Sequence, residues 1–324
     1  IKVLQPDVLV LGKEFENELD KQISGAVQIL KKQGGQILFH AGETHYASSD
    51  LLSENQPDLN EQQIKQFKKA FGRQKIKLNE LLECIDKFKD ASLLVIGDTI
   101  VDQYVACDAL GMSAEAPVVV VRELNTREYA GGAAVVAMHA SALGAKCSYV
   151  SVVGKDNNAA FIAQELEQLE VKQFLVEDNS RPTTFKIRYM VNNQKMFRVS
   201  RMKEHGLQRQ VEDQVIKEIK SAVLNVQGIL ISDFVYGVIT PRILETIIQL
   251  SKKHNLLVFG DLQCSSQVGN VCKFKNFDLI CPTERESRIA LGSQDEGIEW
   301  VANELLKKTN SKNLIMKLGG EGFI

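Results

Sequence analysis

Two carboxylates and two glycines give one stretch of this sequence the residue types that a binding site needs. Asp98 and Asp102 follow a short apolar run that ends at Gly97 and has the length of one buried strand. Further along, Gly131 and Gly132 open a segment of small residues typical of a tightly packed helix. Carboxylates accept hydrogen bonds from hydroxyl groups, and glycines let backbone amides approach a ligand closely. The stretch therefore predicts a site for a polyhydroxylated ligand.

Composition excludes several classes of function. The 324 residues are 44% hydrophobic and 25% charged, a balance that allows an ordinary globular core. The formal net charge of −2 indicates no general affinity for nucleic acid or for anionic membranes. No apolar run approaches the roughly 18 residues of a membrane span, and no signal peptide is recognised. The six cysteines lack C-x-x-C spacing and are typical of reduced thiols, so we expect a cytoplasmic protein with neither nucleic-acid nor membrane partners.

The elements that must position these residues alternate regularly along the chain. From Ser92 onward, short apolar runs alternate with segments of helical periodicity, which predicts an α/β fold with a mainly parallel sheet and helices on both faces. Two segments, Ala116–Leu124 and Thr183–Met202, break this rhythm and have the pattern of hairpin strands. The predicted helices of this region cover 132–143, 159–169, 211–224, 241–254 and 296–308.

The central stretch resembles the ribokinase-like (PfkB) carbohydrate kinases, and within them the kinase half of the bifunctional heptose-7-phosphate kinase/heptose-1-phosphate adenylyltransferases. Three motifs carry the resemblance in register: Gly97-Asp98 with Asp102, then Ser113–Val118, then Gly131–Ala134. The resemblance implies a ribokinase-like domain over 91–324, in which the hairpin strands form a small β lid above the sugar. Because such lids often make a dimer contact, we expect a homodimer through the lid strands.

The resemblance also implies where a sugar or sugar phosphate binds. The implied contacts are Asp98, Asp102, Gly131, Gly132, Lys186, Arg188 and Arg198. Cationic side chains that face the pocket from the lid would suit a sugar that already carries phosphate. The alternatives are that the lid cations face water and that the two acids only cap their loop. Val135 replaces an asparagine that contacts sugar in the family, which leaves open a kinase for a different sugar.

ATP is the implied phosphoryl donor, with Mg²⁺ as its cofactor. Asp233, Thr283, Gly319 and Gly322 match the nucleotide motifs of the family, and Glu286 matches a glutamate of its magnesium network. The family has other residues at Val135, Tyr236, Gln263 and Thr283, so a kinase-like protein that binds ligand without catalysis stays an alternative. The family's G-A-G-D motif, with the catalytic aspartate, is expected beyond Ile324, and no residue present is assigned as the base.

Residues 1–52 resemble the C-terminal part of the cytidylyltransferase-like nucleotidyltransferases, a Rossmann-like fold. The matching segments are Pro6–Gly12, Gly34–Leu38 and Ser48–Leu52. They imply nucleotide contacts at Ser48 and Ser49, for which a plain helix cap is the alternative. Two amphipathic helices within 53–90 would connect the domains. We therefore expect a piece of a longer bifunctional enzyme of nucleotide-sugar synthesis, inactive by itself because both reaction centres are incomplete.

Overall fold

The computed structural model describes residues 8–11, 21–39, 59–192, 194–264 and 268–324. The chain forms two compact units, Ile1–Leu81 and Leu82–Ile324. The predicted contacts Ser48 and Ser49 lie outside the described residues. None of the helices in the described ranges has both the length and the apolar character that crossing a bilayer requires.

The first unit contains a β-α-β element. Strands β1 (Val8–Leu11) and β2 (Gln36–Phe39) pair in parallel, and helix α1 (Lys21–Lys32) lies between them in sequence. The side chains of Val27 and Leu30 are buried on one stripe of this helix. Two parallel strands with an intervening helix are the repeating element of Rossmann-like folds. Helices α2 (Leu59–Gln74) and α3 (Leu78–Asp86) follow.

The described residues of the second unit form two sheets, and six α-helices begin and end within it. Its strands are β3 (Ser92–Gly97), β4 (Thr99–Met112), β5 (Val119–Gly132), β6 (Lys146–Val153), β7 (Lys172–Glu177), β8 (Thr184–Val191), β9 (Gln194–Arg201), β10 (Gly228–Asp233), β11 (Leu257–Leu262), β12 (Leu279–Ile280) and β13 (Asn313–Leu314). Its helices are α4 (Ala133–Ala142), α5 (Asn157–Gln168), α6 (Arg209–Ala222), α7 (Pro241–His254), α8 (Glu284–Leu291) and α9 (Ile298–Thr309).

Seven strands form an entirely parallel sheet in the order β13-β12-β11-β10-β3-β6-β7. Side chains alternate between its faces, so that each face has its own apolar core. In β3, Leu94 and Ile96 pack with residues of α6 and α7, whereas Val95 packs on the opposite face with α4 and α5. The predicted parallel sheet with helices on both faces is thus confirmed.

The remaining four strands form the predicted lid, in the order β5-β4-β8-β9. Strand β4 pairs in antiparallel fashion with β5 and in parallel with β8, which forms a hairpin with β9. The predicted strand Ala116–Leu124 covers only the far part of a much longer hairpin of β4 and β5. Strand β4, the first strand of this hairpin, was not predicted from the sequence. Its buried side chains, Val101, Val105 and Cys107, lie on one face and are interrupted in the sequence by polar residues of the other face.

Candidate active site

The order of the parallel strands reverses between β3 and β10. From β3 the chain adds β6 and β7 on one side, and it then returns to β10 on the other. Ligands of open α/β sheets bind at such a point, outside the carboxyl ends of the strands. At this end Gly97 pairs with Ser232, and a Cβ atom at Gly97 would lie 1.8 Å from the Ser232 carbonyl oxygen. Only glycine allows the two strands to approach so closely here.

Asp98 fixes the loop that follows β10. Its buried carboxylate accepts hydrogen bonds from the backbone amides of Phe234 at 2.7 Å, Tyr236 at 3.3 Å and Val238 at 3.2 Å. Asp98 is not among the residues that line the cavity described below. The structure therefore shows Asp98 supporting the loop after β10, and its predicted contact with a sugar stays a prediction.

The titration of Asp98 should be visible in the stability of the protein. Burial, and then the nearby Asp233 carboxylate, raise the pKa of Asp98 to about 6 from the ordinary 3.8, against three amide hydrogen bonds that lower it. The folded state therefore keeps this proton to higher pH, and ionising Asp98 costs folding free energy as the pH rises from about 4 to about 6. Asp98→Asn removes this cost.

We expect the free energy of unfolding of wild type relative to Asp98→Asn to fall by about 1–3 kcal/mol between pH 4 and pH 7. Chemical denaturation of both proteins at several pH values measures this difference. Comparing the two proteins cancels the contributions of other carboxylates, such as Asp178 and Glu212, whose pKa values hydrogen bonds and arginine partners lower despite their burial. A difference that stays constant with pH would contradict the assignment.

A cavity of about 960 Å³ lies between the lid and the parallel-sheet body of the second unit. Its lid side includes Asp102, Gly131, Gly132, Lys186, Arg188 and Arg198, six of the seven predicted sugar contacts. Its body side includes Val135, Val136, Phe234 and Gln263. The structure thus brings together residues that lie 161 positions apart in the sequence, from Asp102 to Gln263.

Asp102 and Arg188 form an ion pair in the cavity. The guanidinium carbon of Arg188 also lies 5.1 Å from the ring centre of Tyr104, so the arginine is held by a carboxylate and an aromatic face together. A Cβ atom at Gly131 would lie 2.5 Å from the second carboxylate oxygen of Asp102. Glycine therefore lets this carboxylate lie against the backbone.

Lys186 has no counter-ion in the described part of the protein. The residue is 3% exposed, and its side chain lines the cavity. The ammonium nitrogen lies 4.8 Å from the ring centre of Tyr236 and 5.6 Å from that of Phe234, and it makes no hydrogen bond or ion pair with a described residue. Aromatic faces attract a cation but do not neutralise it. A nearly buried ammonium group of this kind favours an anionic ligand.

The register of β5 adds cavity residues that the sequence analysis missed. Tyr129 lies opposite Asp102, and Arg127 lies opposite Tyr104. Residues directly opposite each other share a face of the sheet, and all four line the cavity together with Asn125. The available signal was the i, i+2 spacing of these residues, which is typical of one face of a strand. Because this face is polar, its contact with a cavity becomes apparent only from the tertiary fold.

Two lysine–carboxylate pairs lie at the carboxyl ends of β10 and β11. Asp233 is buried and pairs with Lys273, while Asp261 pairs with Lys317 at 2.6 Å. A backbone bridge connects Lys317 to Thr283. The predicted nucleotide contacts Asp233 and Thr283 therefore lie along one edge of the sheet. Gly319 and Gly322 belong to the turn that follows, where both have positive φ angles that favour glycine.

Thr283 and Glu286 form a capping box at the start of α8. One carboxylate oxygen of Glu286 accepts a hydrogen bond from the Thr283 amide at 2.8 Å, and the other accepts one from the Cys264 amide at 2.8 Å. The buried carboxylate thereby fastens α8 to the segment after β11, so Glu286 does not fit as a direct ligand of Mg²⁺. Within the described ranges, no three His, Cys, Asp or Glu side chains are arranged to hold a metal ion.

Comparison with solved structures supports this fold. Phosphofructokinase-2 from Escherichia coli in complex with substrates and products superposes with a TM-score of 0.57 at 15% identity, over 72% of this chain and 74% of that one. The Arabidopsis thaliana ribokinase complexed with ribose and ATP gives 0.54 at 19% identity, over 72% and 73%.

Comparison with known sequences identifies the family. The bifunctional protein HldE of Nitratiruptor sp. is 30% identical over 236 residues, which are 71% of this chain and 49% of that protein. The HldE of Geobacter sulfurreducens is 30% identical over 234 residues, 71% and 47%. The chain thus spans about half the length of these relatives. The model of the pfkB family carbohydrate kinases matches residues 90–324. The chain therefore belongs to the pfkB family of carbohydrate kinases.

Proposed function

We propose that this carbohydrate kinase transfers the γ-phosphoryl group of ATP to a hydroxyl group of a sugar that already carries phosphate. The excess of positive charge in the cavity is the observation that carries the proposal. Lys186, Arg188, Arg198 and Arg127 line it, against the single carboxylate of Asp102. Arginine and lysine are the residues that bind phosphate groups in proteins, and a neutral sugar would leave Lys186 and Arg127 without a counter-charge among the described residues.

In this proposal the two substrates meet at the point where the strand order reverses. Asp102 and the backbone at Gly131 accept and orient the acceptor sugar, and the lid closes the cavity above it. ATP lies along the edge formed by the ends of β10 to β13, near Asp233 and Thr283. Phosphoryl transfer is accelerated mainly by positioning and by neutralisation of charge, which these residues supply. Magnesium would accompany ATP, and we assign it no ligand among the described residues.

The HldE relatives support a finer proposal, in which the acceptor is heptose 7-phosphate. The β-α-β element of the first unit supports a companion proposal, that this unit is the C-terminal part of a nucleotidyltransferase that joins the sugar 1-phosphate to a nucleotide. Val135 favours a second candidate, a kinase for a different sugar phosphate. Its side chain lines the cavity and cannot form a hydrogen bond with a hydroxyl group.

Two measurements test the function. Phosphorus NMR on the longest natural form of the protein, with ATP and a panel of heptose 7-phosphate, glucose 6-phosphate and fructose 6-phosphate, detects a new phosphate ester. Calorimetric titration of the 324-residue chain with the same panel detects binding alone. We expect one sugar phosphate to be bound and phosphorylated. Binding without turnover in the longest form would favour a ligand-binding protein, and the absence of both would contradict the proposal.

The lid suggests how two copies would associate. Strand β8 pairs with β4 only over Ile100–Cys107, so the rest of the β4–β5 hairpin extends as a two-stranded ribbon. Its exposed apolar side chains are Leu110, Met112, Val118, Val119, Val120 and Leu124. We propose a homodimer through this ribbon, because a second copy would bury those side chains.

Light scattering after size-exclusion chromatography should show a dimer for the wild type and a monomer for Met112→Glu. Leu224→Glu is the matched control, since Leu224 is equally exposed but lies outside the lid. A wild-type monomer, or a Met112→Glu variant that stays dimeric, would rule out this interface.

A further inference from the structure

The cationic side chains of the cavity differ in whether a carboxylate of the protein already neutralises their charge. Arg188 is paired with Asp102. Arg127 and Lys186, in contrast, form no hydrogen bond or ion pair with any residue that the structure describes, although both line the cavity. For Lys186 this is unusual, because the residue is nearly buried. Arg127 is exposed, so it offers an accessible positive charge to an anionic ligand in the cavity, whereas Lys186 offers a nearly buried one.

These two cations occupy different places on the lid. Arg127 is on the outer strand β5, in a transverse row with Tyr104 and Arg188. Lys186 is on β8, which is separated from β5 by β4. It lies opposite Asp102, in the next transverse row on the same face of the sheet. With neighbouring strands about 4.8 Å apart and alternate residues about 6.7 Å apart, the two backbone positions are separated by roughly 12 Å. The two cations are therefore anchored at well-separated positions of the lid.

Lys186 faces the nucleotide end of the site. Its ammonium group lies over the rings of Phe234 and Tyr236, in the loop that directly follows β10. Arg127 is at the other end of the lid sheet, beside Tyr129 and Tyr104, whose rings meet edge to face at 5.8 Å. A phosphoryl group that arrives from ATP would reach Lys186, and an anionic group already on the acceptor would reach Arg127.

We infer that Arg127 is the specificity-determining residue that binds the phosphate already present on the acceptor. This inference rests on the proposed function. It assigns a role in acceptor binding to a residue that lies outside the family motifs of this sequence. The planar guanidinium group offers two parallel donors to one phosphate, and the neighbouring tyrosine rings provide an apolar surface for the C–H face of the sugar. Arg127 is thus the residue by which the site distinguishes a phosphorylated acceptor from the free sugar.

Binding constants for phosphorylated and free sugar test the inference. The probes are the sugar monophosphate that the wild type binds most tightly in the panel above and its unphosphorylated counterpart. We expect Arg127→Gln to raise the dissociation constant of the monophosphate about 10- to 100-fold and to leave that of the free sugar unchanged. Arg127→Lys should restore part of the affinity, because charge without two parallel donors remains. In turnover assays the loss should appear in KM more than in kcat.

Arg122→Gln is the matched control, because Arg122 lies on the same strand and is paired with Asp108 at 2.8 Å outside the cavity. It should bind both probes as the wild type does. Equal affinity of wild type and Arg127→Gln for the monophosphate would overturn the inference and leave the proposed function in place. Failure of the wild type to bind any sugar phosphate would instead overturn the proposed function, and the inference with it.

Discussion

Replacing Lys186 with methionine is expected to lower kcat by about 100- to 1,000-fold while leaving the folded state at least as stable as the wild type. The activity should fall because, in the proposed arrangement, Lys186 lies next to the transferring phosphoryl group, and one such donor typically contributes two to three orders of magnitude. The stability is retained because the nearly buried ammonium group has no counter-ion among the described residues that could be lost. Methionine keeps the length of the side chain and removes the cost of burying a charge.

Steady-state kinetics of the longest natural form and thermal melting of the same variant measure the two effects together. Lys172→Met serves as the control, since Lys172 also lies over an aromatic ring, that of Phe174 at 5.2 Å, but outside the cavity. It should change neither quantity. Wild-type kcat in Lys186→Met would show that this lysine does not act on the transferring group, and loss of the folded state would show that its role is structural.

Gly97→Ala is expected to destabilise the second unit by more than about 3 kcal/mol. The new Cβ atom would lie 1.8 Å from the carbonyl oxygen of Ser232 and 2.7 Å from the Cβ atom of Ala133. Neither neighbour is a flexible side-chain end, so relief requires the separation of β3 from β10 or a shift of α4. Because both strands are central in the sheet, the strain would disrupt the core and the adjacent Asp98 loop together.

Chemical denaturation of Gly97→Ala and of Gly206→Ala provides the comparison. Gly206 lies in the same unit, and a Cβ atom added there would meet nothing within 4 Å. Its substitution should change the free energy of unfolding by less than about 1 kcal/mol. If both variants unfolded alike, the close approach of β3 and β10 would not be the reason for glycine at position 97.

The elements that local signals define were predicted well. The predicted helix 241–254 coincides with α7, because Thr240 caps it, Pro241 occupies its first turn and Asn255 ends it in a left-handed conformation. The apolar run Leu93–Ile96 indicated β3 because both faces of a parallel sheet are buried. Asp102, Gly131 and Gly132 also line the cavity, as the motifs implied.

Features that depend on the tertiary fold could not be predicted in this way. Nothing local shows that three amides of a loop 136 to 140 residues away surround the carboxylate of Asp98. Arg127 was missed because it becomes a cavity residue only through its register with Tyr104. Glu286 matched a magnesium motif, yet its oxygens are engaged by the Thr283 and Cys264 amides.

The central claim is that a phosphorylated sugar binds beneath the lid, and hydrogen–deuterium exchange with and without the sugar monophosphate tests it most directly. We predict that the ligand slows exchange in β4, β5 and β8 and in the loop after β10, while α9, which contributes no residue to the cavity, exchanges as before. Protection confined to other parts of the chain, or no protection at saturating ligand, would contradict the account.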